Sequence, residues 1–169
     1  MSRTALLALT LLTALPACAK ESPGPAGPGD PGGGQVCTQI GCINGYRLEL
    51  KKATPWTPGN YTFTAELDGK VVECKGALPL QACDTGPSLS CTPDGSLQIG
   101  ESGCALPPDQ QGFSDIMIPG APQRVRLTIA QDGKPLHSAD LTPNYVTTRP
   151  NGEQCEPTCS SAAGELAVP

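Results

Sequence analysis

Tyr61-Thr62-Phe63-Thr64-Ala65-Glu66-Leu67-Asp68-Gly69 is the stretch that decides the fold. Tyr61, Phe63, Ala65 and Leu67 alternate with Thr62, Thr64 and Glu66. A period of two gives a strand one apolar face and one polar face. Asp68-Gly69 then supplies the residues that reach positive φ most cheaply, as a two-residue hairpin requires. Outward from there the same rhythm recurs. Tyr46, Leu48 and Leu50 alternate with Arg47, Glu49 and Lys51, and Val125, Leu127 and Ile129 alternate with Arg124, Arg126 and Thr128. Asp94-Gly95 and Asp132-Gly133 sit between strand-like runs and predict two further hairpins. Pro55, Pro58, Pro93, Pro119, Pro122 and Pro143 mark boundaries, because proline cannot donate to a ladder.

The pattern predicts strands over 44–52, 59–67, 70–75, 87–92, 96–101, 113–118, 123–131 and 134–141, without helical periodicity between them. Half-buried strands with regular turn signals predict an all-β, small antiparallel β-sandwich stapled by disulfides. It is immunoglobulin-like in architecture only. Two core cysteines bracketing a core tryptophan are missing, and the single tryptophan lies in the loop Pro55-Trp56-Thr57-Pro58.

The N-terminus sets a compartment. Arg3 gives a positive start and Ala5 to Leu15 a short apolar run, which suits a cleavable signal rather than a membrane span. The run ends in Leu15-Pro16-Ala17-Cys18, which resembles the lipobox of bacterial lipoproteins. That resemblance implies cleavage before Cys18 and acylation of Cys18, with residues 1–17 a signal peptide and the product held on a membrane of the cell envelope, on the periplasmic side or at the cell surface. Ala17-Cys18-Ala19 also fits an ordinary signal-peptidase site, which would release a soluble product. Residues 18–36 then form the anchor and a Pro/Gly-rich linker, expected to be disordered because it has nothing to bury. The domain is expected over 37–160, with 161–169 a disordered tail.

Eight cysteines remain beyond Cys18: Cys37, Cys42, Cys74, Cys83, Cys91, Cys104, Cys155 and Cys159. An even number in a short exported chain reads as four disulfides. Bridging Cys37 and Cys42 to Cys155 and Cys159 would staple the ends, leaving Cys83 with Cys91 and Cys74 with Cys104. A four-thiolate zinc site at the two terminal pairs is the alternative, but their spacings are not the tight gap of zinc knuckles. No metal or cofactor is expected. With only 38% hydrophobic residues and six aromatics, the core is thin, and bridges compensate.

The net charge of −5, with signs interspersed, argues against nucleic acid as partner. The sole histidine, His137, is three residues from Asp140, so a strand points them to opposite faces, and it is expected on an exposed strand surface. Of the carboxylates, Glu66 and Asp68 share a face but flank a turn, while Glu73, Glu101, Asp109 and Asp115 are scattered. Without a cleft to raise a pKa, they read as solvated acids rather than a glycosidase pair. Trp56, between prolines, is either a cap on the end of the sandwich or a ligand contact for a sugar or protein, together with the loop from Leu106 to Gly112. The expected function is a non-catalytic binding or structural module. An exported hydrolase and a secreted protease inhibitor are the rivals.

Overall fold

The computed structural model describes residues 36–169; the leader, Cys18 and the linker expectations lie outside the described residues. Ten strands follow in chain order: β1 (Gly45–Lys52), β2 (Gly59–Leu67), β3 (Lys70–Leu78), β4 (Leu89–Thr92), β5 (Gln98–Ser102), β6 (Gly112–Ile118), β7 (Val125–Gln131), β8 (Lys134–Leu141), β9 (Val146–Thr148) and β10 (Cys159–Val168). A 3-10 turn over Pro108–Gln110 precedes β6. The strands form two five-stranded sheets, β5-β6-β1-β10-β9 and β4-β3-β2-β7-β8, so the chain is an all-β sandwich.

The alternation read in β2 is what builds the core. Tyr61, Phe63 and Ala65 are buried, and they meet Leu127 and Ile129 of β7 and Leu48, Ile116 and Ile118 of the facing sheet. Each such large apolar side chain contributes about 1.5–3 kcal/mol when fully withdrawn from water. Leu67 pairs with Lys70 across Asp68-Gly69, and Gln131 with Lys134 across Asp132-Gly133. All four turn residues have positive φ, between 48° and 88°, so both are the tight hairpins that the sequence predicts.

Four expectations need correction. Asp94-Gly95 is not a hairpin: it carries the chain from β4 in one sheet to β5 in the other. Residues 161–169 are not a disordered tail, because β10 runs through them to Val168, between β1 and β9, and the domain therefore extends past 160. β10 also pairs with β1 in parallel, from Gly45 beside Ser161 to Lys52 beside Val168, so one central pair departs from the antiparallel plan. Finally, the middle bridges are Cys74–Cys91 and Cys83–Cys104. Cys74 and Cys91 are register partners on adjacent strands, a neighbourhood that spacing alone does not reveal.

The terminal cysteines pair across the chain, Cys37–Cys155 and Cys42–Cys159. Their sulfurs are thus in bridges, and the zinc alternative falls. Strand directions give the molecule two distinct ends. Because β1 and β10 are parallel, Gly45 and Cys159 lie together at one end with both terminal bridges, the Asp68-Gly69 hairpin and loop 149–158. The opposite end carries loops 53–58, 79–88 and 103–111 and the Asp132-Gly133 hairpin.

Candidate functional site

Trp56 and the loop through Gly112 meet at this second end. They line one shallow depression of about 460 Å³, together with Lys52, Ser102, Asp109 and Phe113. Trp56 is brought there by the six-residue crossing from β1 to β2, whose Pro55 and Pro58 stiffen the link. The ring is nevertheless 7% exposed. It stands edge-on to Tyr61 at 5.5 Å and to Phe113 at 5.0 Å between ring centroids. Phe113 in turn meets Tyr61 and Phe63, each at 5.1 Å. Edge-to-face pairs of this kind add about 0.5–1.5 kcal/mol each beyond area burial. Trp56 is therefore chiefly a cap on the core. The Lys52 ammonium lies over the ring, 5.6 Å from its centroid.

Gly112 makes the seat possible. A Cβ there would lie 2.1 Å from Trp56 Cδ1, so only glycine leaves room for the indole. Beside it, Gln111 is a buried polar side chain. Its Oε1 accepts the Leu80 amide at 2.6 Å and its Nε2 donates to the Leu106 carbonyl at 2.8 Å. The Cys83–Cys104 bridge joins the same two loops, β3–β4 and β5–β6. The depression thus has a rigid floor, with Lys52 and Asp109 on its margin. Gln111 is the residue that sequence reasoning misses: nothing distinguishes it there from the exposed Gln110.

The other candidates take structural places. His137 is half-buried rather than exposed, because its register partner is the core residue Ile129. Asp140 faces the other way, as expected, and accepts from Arg126 Nε at 2.7 Å. Glu66 lies 3.7 Å from the same guanidinium. Asp68 accepts the amides of Gln123 at 3.0 Å and Arg124 at 2.9 Å. These amides, Arg124's foremost, hold its carboxyl below the ordinary range. Glu66, Asp68, Arg124, Arg126 and Asp140 line a groove of about 310 Å³ near the other end, where Arg126 pairs with Glu66 and Asp140 and Asp68 accepts backbone amides. Glu73 pairs with Lys75 at 2.6 Å and Asp115 with Arg47 at 3.2 Å. Glu101 accepts the amides of Ser88 and Leu89 at 2.7 and 2.9 Å. Only Asp109 among the six carboxylates borders the Trp56 depression. Among the described residues no cluster of three metal-ligating side chains occurs, and no helix is long and apolar enough to cross a membrane.

These features define a disulfide-stapled β-sandwich with one stapled end and one end of braced loops. Comparison with family models, curated proteins and solved structures found no match to this chain.

Proposed function

We propose that this chain is a lipid-anchored module of the bacterial cell envelope, tethered through Cys18, whose β-sandwich binds a partner and carries out no chemistry of its own. The observation that carries the proposal is the two-ended layout. Residues 1–35 join the domain at Val36, beside the terminal bridges, while the braced loops around Trp56 lie at the far end. A tether at one end leaves the other end free to meet a partner, and loops on a rigid scaffold are where recognition concentrates. Four disulfides suit an oxidising compartment outside the cytoplasm.

A non-catalytic role is supported by where the titratable groups sit. His137 packs beside Ile129, Asp68 and Glu101 accept backbone amides, and Glu66, Glu73, Asp115 and Asp140 pair with guanidinium or ammonium groups. The partner class that fits the depression is an envelope protein or glycan, touching Trp56, Lys52 and Asp109. Stiffened loops offer such a ligand little ordering cost.

Intact mass of the mature protein from its own host tests the anchor and the bridges together. Acyl groups on Cys18 and a gain of about eight daltons on reduction, one per thiol formed, are expected. Cys18→Ala should move the protein from the membrane fraction to the soluble one. A Cys18→Ala chain that stays on the membrane, or a mature product without acyl mass, refutes the anchor. For the far end, a Lys52→Ala/Asp109→Ala variant should lose partners that the wild type captures by cross-linking in envelope extracts. Equal capture by both refutes the assignment of that site.

A further inference from the structure

The exposed apolar side chains are not scattered. Among the described residues six large ones are exposed, Val36, Ile40, Ile43, Val71, Leu106 and Val146. Val36, Ile40 and Ile43 lie in the segment leading into β1. Val146 opens β9 opposite Ser161, and Val71 follows the Asp68-Gly69 hairpin. Strand directions put all five at the stapled end, and only Leu106 at the other.

Isolated exposed isoleucines are ordinary. These are held out rigidly. The segment is fixed by Cys37–Cys155 and Cys42–Cys159. Between those bridges Asn151 grips it: Oδ1 accepts the Ile40 amide at 2.8 Å and the Thr38 hydroxyl at 2.7 Å, and Nδ2 donates to the Ile40 carbonyl at 3.0 Å. Two bridges and a buried asparagine keep Ile40 and Ile43, 54% and 77% exposed, from folding back onto the core.

The chain outside the described residues indicates what covers them. Cys18 to Gln35 is eighteen residues, rich in glycine and proline. A segment of that length spans at most about 60 Å. An acyl group on Cys18 would therefore keep the stapled end, where that segment joins the domain, near the lipid surface. We infer that the stapled end rests on the bilayer, with Ile40, Ile43, Val36 and Val146 entering the boundary between headgroups and acyl chains. The tether in this inference rests on the Cys18 reading; the apolar surface does not. Arg149, Lys70 and Arg124 share this end with Glu153, Glu156, Asp68 and Asp94. The charges are mixed, so the contact is apolar, indifferent to salt and to anionic lipid. Seated this way, the domain points the Trp56 loops away from the membrane.

The test uses domain released from the folded mature protein by proteolysis between residues 19 and 35, mixed with phosphatidylcholine vesicles at millimolar lipid and sedimented. Wild type should cosediment. Ile40→Asn/Ile43→Asn should lose the bound fraction at least fivefold, while Leu106→Asn, at the opposite end, should stay within twofold. Molar salt or added phosphatidylglycerol should leave the wild-type value unchanged. Intact bridges by mass and an unchanged unfolding midpoint confirm that the variants fold. Equal binding by the wild type and the double variant, no binding by either, or an equal loss with Leu106→Asn overturns the inference. A binding domain from a protein without acyl mass would overturn the tether alone.

Discussion

The paired terminal bridges predict a specific failure of additivity. Cys37–Cys155 and Cys42–Cys159 close loops with sequence separations of 118 and 117 residues. Taken alone, either should restrict the unfolded chain by about 4.9 kcal/mol at 25 °C in the loop-closure model. They are nearly redundant, however. With one in place, the other closes only a small ring, residues 37–42 and 155–159, worth about 2.7 kcal/mol. Replacing one pair with alanine, Cys42→Ala/Cys159→Ala or Cys37→Ala/Cys155→Ala, should therefore cost about 2.7 kcal/mol. Replacing all four should cost about 7.6 kcal/mol, roughly 2 kcal/mol more than the two single losses together. That is comparable to the whole stability of an ordinary domain. Equilibrium urea unfolding of the three variants without reductant measures all three quantities. Single-pair losses of 5 kcal/mol each, or a quadruple variant equal to the sum of the others, would show that the bridges act by local enthalpy and refute the entropic argument.

Other perturbations read the braced end. Gly112→Ala places a methyl against Trp56 Cδ1, so the indole must shift, at a cost of about 1–3 kcal/mol. Trp56 is the only tryptophan, so its emission should move to longer wavelength; an unchanged spectrum contradicts the packing. Gln111→Leu strands the Leu80 amide and the Leu106 carbonyl, each worth about 1–3 kcal/mol when buried unpaired, and thermal unfolding should drop accordingly. The Asp68 carboxyl is held low by the Arg124 and Gln123 amides. Its stabilising effect is therefore full above the ordinary carboxylate range, about pH 4, and is lost as pH falls through the lowered midpoint. Asp68→Asn should flatten that acid limb of the stability curve, and an NMR titration of Asp68 with an ordinary midpoint would contradict it.

The strands that face a core on one side were legible. β2 and β8 occur over the residues expected, and β1, β3 to β7 differ only at their ends. Their apolar residues recur every second position because one face is buried. β10 was illegible because its large buried apolar residues, Leu166 and Val168, come only at its end, and Ala162 alone is buried from Ser160 to Glu165 before them. Ser160-Ser161-Ala162-Ala163-Gly164-Glu165 is small and polar. At Gly164 the inner space is filled by Tyr46 from β1, whose Oη would lie 2.4 Å from a Cβ there. β10 is ordered by its neighbours on both sides. Asp94-Gly95 fails for a related reason: turn chemistry says that the backbone bends, not which sheet receives the next strand. At the site, the meeting of Trp56 with the Leu106–Gly112 loop could be anticipated from stiff, long loops. The burial of the indole as a cap was one of the two readings there; the feature that allows it, Gly112 on another strand, was not legible.

The parallel pairing of β1 with β10 bears on how the molecule is made. The partner of β1 lies more than a hundred residues further along the chain, so this sheet keeps an open seam until β10 has been made. Contacts this distant along the chain nucleate slowly, and the terminal sulfurs meet their correct mates only after that seam shuts. The seam between β1 and β10 therefore closes late, after the strands that lie between them along the chain.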